Sequence, residues 1–277
     1  MQTPLRANSL TICIPARNEA STVESVVQSL WHASAHAKYQ LEEILVIDDR
    51  STDDTASKAL RAGARVVSTV SHCQAFGGSL GKGDALWVAL RECRTDLVGF
   101  VDADLQAVCA DRVMQMFIPL VSAPNVQLVK GHFLRTQPNG EVSPGRVTTL
   151  MARPLLELLF PALSHMREPI SGIFAGRTEV LGSLWLDCDY GVDVGVLLDI
   201  AMHYGVGTIV EHELGVLTHR RRPLNELGSM SKQVARAILS RSNGDDASDV
   251  VLTSRRVPPR SMRMARATPP QQRTPRW

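Results

Sequence analysis

What most constrains this chain is an alternation. Across its first half, short apolar runs at 10–14, 44–47, 64–67 and 97–101 are separated by stretches of helical pattern, and each run ends in polar residues. Runs of this length with such borders read as buried strands, and strands alternating with helices read as a mainly parallel sheet covered on both faces. The fold class is therefore α/β. The stretch over about 20–31 places Val23, Val26, Val27 and Leu30 on one helical face. Ser51 stands as the N-cap of the next helix, with Asp53 and Asp54 in a first turn where acids favour the helix dipole. A glycine-rich loop at 77–83 leads into a helix over 84–93. Ligands of such sheets bind beyond the carboxyl ends of the strands, at the point where strand order reverses.

Beyond about 126–133 the pattern loosens. A polar loop at 136–144 precedes a helix over 147–160 interrupted by Pro154, a second helix over 191–203 and a strand over 208–216. The helix over 224–240 is amphipathic, with Leu224, Leu227, Met230, Val234 and Ile238 at helical spacing. Past Ser242 the composition turns to Ser, Asp, Arg and Pro, so 243–277 reads as a disordered tail. A hydrophobic content of 44% over 277 residues suffices for a sizeable core in what precedes it.

Net charge conceals an asymmetry. Residues 251–277 hold seven arginines and no acid, which leaves the other 250 residues with 23 basic and 28 acidic groups. A basic tail without interleaved aromatics, on an acidic body, argues against nucleic acid as the main partner. No stretch approaches the roughly 18–20 apolar residues of a membrane helix, and the N-terminus lacks a signal-peptide layout. The five scattered cysteines form no CxxC, as expected of reduced thiols in a cytoplasmic protein.

The residues after each strand carry the chemistry. They are Pro15-Ala16-Arg17-Asn18-Glu19, then Asp48-Asp49-Arg50-Ser51, then the loop around Gly81-Lys82-Gly83, then Asp102-Ala103-Asp104. A DxD at a strand end presents oxygens that suit Mg²⁺ or Mn²⁺ bridging to phosphates. Lys82 supplies positive charge, between glycines that let phosphate approach the backbone. A P-loop is excluded, because its pattern requires Gly at 76 and Ser or Thr at 83, where Phe76 and Gly83 stand. A GxGxxG after the first strand is also missing, which argues against a dinucleotide-dependent dehydrogenase. A nucleotidyltransferase would carry a glycine-rich basic loop where PARNEA stands.

Taken in order, PARNEA, DDRSTDDT, GKGDAL and DAD resemble the donor half of a GT-A glycosyltransferase. QLVKG at 127–131, GRVTTLMARPLL at 145–156, PISG at 169–172, YGVDVGVLLD at 190–199 and LGVLTHRRRPLNELGSMSKQV at 214–234 are similar to the retaining glucosyl-3-phosphoglycerate synthases and their mannosyl relatives. The resemblance implies a nucleotide-sugar-binding half over 1–134 and an acceptor-binding half over 135–242 of one GT-A domain. It implies that Pro15, Ala16, Arg17, Glu19 and Asp49 grip uridine, and that Gly81, Lys82, Asp102 and Ala103 meet the rest of a UDP-sugar. Asp104 and His219 would hold the divalent cation. Gly145, Arg146, Thr148 and Arg221 would take a small, anionic acceptor, with Arg146 at a helix N-terminus suited to phosphate. Lys82, Arg146 and Asp193 would serve catalysis, Asp193 by positioning rather than as a nucleophile. A homodimer is a further expectation.

The departures from that pattern lie toward sugar and acceptor. Asp193 replaces a glutamate, Ile173 replaces a carboxylate, Arg221 replaces an asparagine, and the stretch between Lys130 and Gly145 is shorter. They raise an alternative in which the same chemistry is redirected to an aminosugar or to a natural-product precursor, free or carrier-bound. A polyanion-binding role for the tail is a remoter one.

Overall fold

The computed structural model describes residues 9–37, 39–74, 77–105, 110–136, 142–217, 224–242 and 256–258. The first half runs β1 (Leu10–Ala16), α1 (Val23–Ser34), β2 (Leu41–Asp48), α2 (Thr55–Arg61), β3 (Arg65–Ser68), α3 (Thr69–Cys73), α4 (Lys82–Glu92) and β4 (Leu97–Phe100). Next come α5 (Ala110–Gln115), α6 (Phe117–Ser122), β5 (Leu128–Thr136), β6 (Val142–Ser143), α7 (Arg153–Leu159), β7 (Phe174–Arg177), α8 (Thr178–Gly182) and β8 (Leu186–Asp187). The chain closes with α9 (Val192–Tyr204), β9 (Ile209–Leu217), α10 (Leu224–Ser242) and β10 (Arg256–Val257).

Among the described residues the main sheet has the order β3-β2-β1-β4-β7-β5-β6, with β9 also paired to β5. β3, β2, β1 and β4 are parallel, and β7 runs antiparallel to both β4 and β5. Alternate residues of a strand face opposite sides. In β1, Leu10, Ile12 and Ile14 join one core cluster with α1 and α5, whereas Cys13 joins the other, beneath α4, α9 and α10. The predicted face of α1 is buried, and each of Val23, Val26, Val27 and Leu30 contributes about 1.5–3 kcal/mol by leaving water. Cys13, Cys73, Cys93 and Cys188 are buried free thiols. No helix among the described residues is long and apolar enough to cross a membrane.

The structure departs from the sequence expectations at four places. Ser51 does not cap a helix. α2 begins at Thr55, and the Ser51 hydroxyl instead accepts the Asn18 N–H at 2.9 Å. This bond ties together the loops after β1 and β2, which turn through positive φ at Asn18 and Arg50. Gly83 does not open the backbone to phosphate, because it is buried in the first turn of α4, where a Cβ would collide with the Asp187 carbonyl. Pro154 does not interrupt one helix. A π-turn over Thr148–Ala152 precedes α7, and Pro154 sits in the first turn of α7, where its missing N–H is tolerated. Finally, Arg256–Pro258 depart from the expectation of a disordered tail. β10 pairs antiparallel with β8, Val257 is buried, and the Trp87 indole donates to the Pro258 carbonyl at 2.8 Å.

Candidate active site

The carboxyl ends of β1, β2 and β4 open into one cavity of about 770 Å³. Its lining includes Pro15, Ala16, Arg17, Glu19, Asp49, Gly81, Lys82, Asp102, Ala103 and Asp104 together with Gly145, Arg146, Thr148 and Asp193. Donor and acceptor candidates thus share a single space. His219 and Arg221 lie outside the described residues.

At the β2 end, Asp49 is buried and receives Arg50 through two bonds of 3.0 and 3.1 Å and the Thr69 hydroxyl at 2.9 Å. Burial alone would raise its pKa, but the hydrogen bonds from Arg50 and Thr69 outweigh this and hold the carboxyl below its ordinary value. It is an ionised acceptor at neutral pH. Exposed Arg17 approaches the same group at 4.0 Å.

At the centre, Lys82 begins α4 and its ammonium bridges Asp102 at 2.9 Å and Asp193 at 3.0 Å. Desolvation opposes its charge, but the two carboxylates prevail and raise its pKa. This junction needs Gly172, where a Cβ would strike the Lys82 ammonium and come within 2.5 Å of Asp102 Oδ1. Asp193 lies in the first turn of α9. Burial raises its pKa against the pull of Lys82 and Lys130, and its Oδ1 has no hydrogen-bond partner among the described residues.

Asp102 and Asp104 offer hard carboxylate oxygens on the cavity wall. Among the described residues no three His, Cys, Asp or Glu side chains form a complete ligand cage. That donor set fits Mg²⁺ or Mn²⁺ all the same, since such ions are commonly held by one or two carboxylates together with substrate phosphates.

Sequence reasoning missed several groups. Lys130 of β5 is fully buried beneath the site and donates to the carbonyls of Ser171 at 2.7 Å and Asp193 at 3.0 Å. A lysine inside an apolar strand was the available signal, since buried lysines require partners. Arg135 lines the cavity and is held at 3.0 Å by Glu168, whose sequence context gives no sign of it. Thr148, one of the acceptor candidates, lines the cavity, and its hydroxyl donates to Glu168 at 2.5 Å. Ile173 is fully buried with Ala175 and Leu214 in the sheet core and does not line the cavity.

A mainly parallel sheet with a lysine and paired acids at its strand ends, sharing one cavity with the Gly145–Thr148 segment, is the architecture of a nucleotide-sugar glycosyltransferase. The chain belongs to glycosyl transferase family 2, whose model matches residues 11–185, and it is an enzyme of that class. Within the class it is similar to the glucosyl-3-phosphoglycerate synthases. It is 39% identical over 246 residues to that of Mycobacterium tuberculosis, spanning 86% of this chain and 75% of the relative, and 33% identical over 240 residues to that of Petrotoga mobilis, spanning 84% and 73%. The M. tuberculosis enzyme solved with Mn²⁺, UDP-glucose and phosphoglyceric acid superposes with a TM-score of 0.76 at 38% identity, covering 91% of this chain and 87% of that one. The GT-A architecture expected from the sequence is the one found. These relatives do not favour the redirected, natural-product alternative.

Proposed function

We propose that this chain transfers glucose from UDP-glucose to 3-phosphoglycerate, with retention of anomeric configuration and with a divalent cation. The observation that carries the reading is the Lys82–Asp102–Asp193 junction, which shares one cavity with the loops after β1 and β2 and with the Gly145–Thr148 segment. The similarity to synthases of this specificity supports it.

In this scheme the loops after β1 and β2 hold uridine, with Asp49 as a fixed ionised acceptor. Lys82 faces the bond between sugar and diphosphate. Asp104 and His219 would hold a divalent cation, which when bound would supply positive charge to offset the charge on departing UDP. Asp193, pinned by Lys82, orients the sugar. Arg146 binds the acceptor anion at a helix start, where free backbone N–H groups favour it. The acceptor hydroxyl oxygen bonds to the anomeric carbon on the face the diphosphate leaves. As the carbon–phosphate oxygen bond breaks, the hydroxyl proton passes to the departing β-phosphate. Asp193 forms no covalent adduct. A homodimer and a cytoplasmic setting accompany the reading as expectations.

The test is direct. Purified protein with UDP-glucose, Mn²⁺ and 3-phosphoglycerate should release UDP and yield an α-linked glucosyl product by NMR, and chelation should stop both. Thermal-shift screening of UDP- and GDP-sugars should select UDP-glucose, since ligand at 100 times its Kd adds about 2.7 kcal/mol of stability. Stabilisation by GDP-sugars alone, or turnover indifferent to chelation, would overturn the proposal.

A further inference from the structure

Behind Arg135 and Thr148, which line the cavity, lies a buried carboxylate that donor chemistry leaves unused. Glu168 is 1% exposed. Its Oε2 accepts from Arg135 Nη1 at 3.0 Å, and its Oε1 accepts from Arg135 Nη2 at 3.4 Å and from the Thr148 hydroxyl at 2.5 Å. Its backbone is anchored in turn. The Arg167 and Glu168 N–H groups donate to Glu211 Oε1 at 2.8 and 3.5 Å, which ties this turn to β9. The Arg135 guanidinium also lies 4.5 Å from the centre of the Phe133 ring. Arg135 and Thr148 converge on Gly145, where a Cβ would stand 2.8 Å from Arg135 Nη1 and 3.0 Å from Thr148 Oγ1.

We infer that Glu168 is the positioning residue of the acceptor subsite. It holds Arg135 as a second cation beside Arg146 and draws the Thr148 hydroxyl proton away from the cavity. A guanidinium has five N–H donors. Glu168 engages two of them, and the remainder stay available to a phosphate or carboxylate in the cavity. Because Glu168 and Phe133 already restrict Arg135, little of its side-chain freedom is left to lose when an anion binds. The acceptor anion is thus read by two guanidinium groups and the helix start, and not by the Thr148 hydroxyl. This inference rests on the anionic-acceptor reading above.

The test uses E168Q, which keeps the volume and an acceptor oxygen but removes the charge, and R135K, which keeps a charge but removes the fork. Kinetics are read separately for each substrate, and calorimetry measures 3-phosphoglycerate binding to full-length protein saturated with UDP and Mn²⁺. E168Q should raise the acceptor KM at least tenfold while leaving the UDP-glucose KM within twofold, and R135K should do the same at least fivefold. The double variant should fall well short of the product of the two effects, because Glu168 acts largely through Arg135. If E168Q does not fold, R135K alone carries the test. An acceptor KM unchanged within twofold in the folded variants overturns the role of Glu168, even where wild type binds 3-phosphoglycerate. Wild-type protein that does not bind 3-phosphoglycerate overturns the acceptor reading itself, and this role with it.

Discussion

Replacing Lys130 with methionine separates the buried ammonium from the volume that it fills. Burial pushes the Lys130 pKa down from 10.5 to about 8. Between those values the unfolded chain holds the proton more tightly than the folded one, so this group makes stability rise with pH. Lys82 has the opposite sign. Its pKa is raised, so its contribution is fully present below its unfolded pKa and is lost only at higher pH. From pH 8 to 9.5 the Lys130 contribution amounts to about 2 kcal/mol, at about 1.4 kcal/mol per pH unit. Cys13, whose thiol burial pushes up, works against this trend in the wild-type curve. The quantity to follow is therefore the difference between wild type and K130M. At pH 7.5 the variant leaves the Ser171 and Asp193 carbonyls without their donor, a loss of about 1–3 kcal/mol each, and sheds the buried charge in exchange. Urea unfolding followed by tryptophan fluorescence at pH 7.5 and 9.5 gives both differences. Wild type should gain about 2 kcal/mol on the variant between the two conditions. A difference constant to within about 0.5 kcal/mol would show that Lys130 is not the depressed, charged group described, and the reasoning would fail.

Three further outcomes are expected. Asp104→Asn should lower kcat by about 100-fold or more and remove the Mn²⁺-dependent tightening of UDP seen by calorimetry, whereas unchanged metal dependence would remove this residue from the cation site. Asp193→Asn should lower kcat by about 100-fold with UDP affinity within twofold, and a matching loss of UDP affinity would place the residue on the nucleotide instead. Deleting residues 256–277 should cost about 2–3 kcal/mol in urea unfolding, from Val257 and the Trp87 hydrogen bond, while transfer persists. Undiminished stability would show that β10 does not dock.

Much of the donor half was legible because local pattern and tertiary role coincide there. The apolar runs of β1 and β2 divide their residues between two core clusters, and the polar residues that follow them reach the cavity with no further information required. Legibility failed where a residue's partner is distant in sequence. Glu168 meets Arg135 across 33 positions and Lys130 meets Asp193 across 63, and neither pairing leaves a periodic trace. Gly83 misled for a related reason. A glycine beside a lysine suggests phosphate, yet the backbone it accommodates belongs to β8, about a hundred positions away. Ser51 carried a good capping residue to a place where a neighbouring loop claimed its hydroxyl. Ile173 drew attention by what it lacks relative to kin, although that side chain, just ahead of β7, is packed in the core.

β9 holds one last consequence. Its pairing with β5 slips by one residue, so that His132 faces Glu213 while Phe133 faces Gly215, with Leu214 buried as the extra residue and Gly215 at φ +82°. Ahead of the slip stands Glu211, anchor of the Glu168 turn, and two positions past the strand's last residue the sequence reaches His219. The bulge therefore sets the register of the strand between Glu211 and Leu217, after which the sequence leads to the metal-ligand candidate. Losing one residue there would send every later side chain to the opposite face. During divergence this segment can exchange side chains freely but not length, so descendants that differ in acceptor should vary at Arg135, Glu168 and the 137–141 connection while keeping the bulge intact.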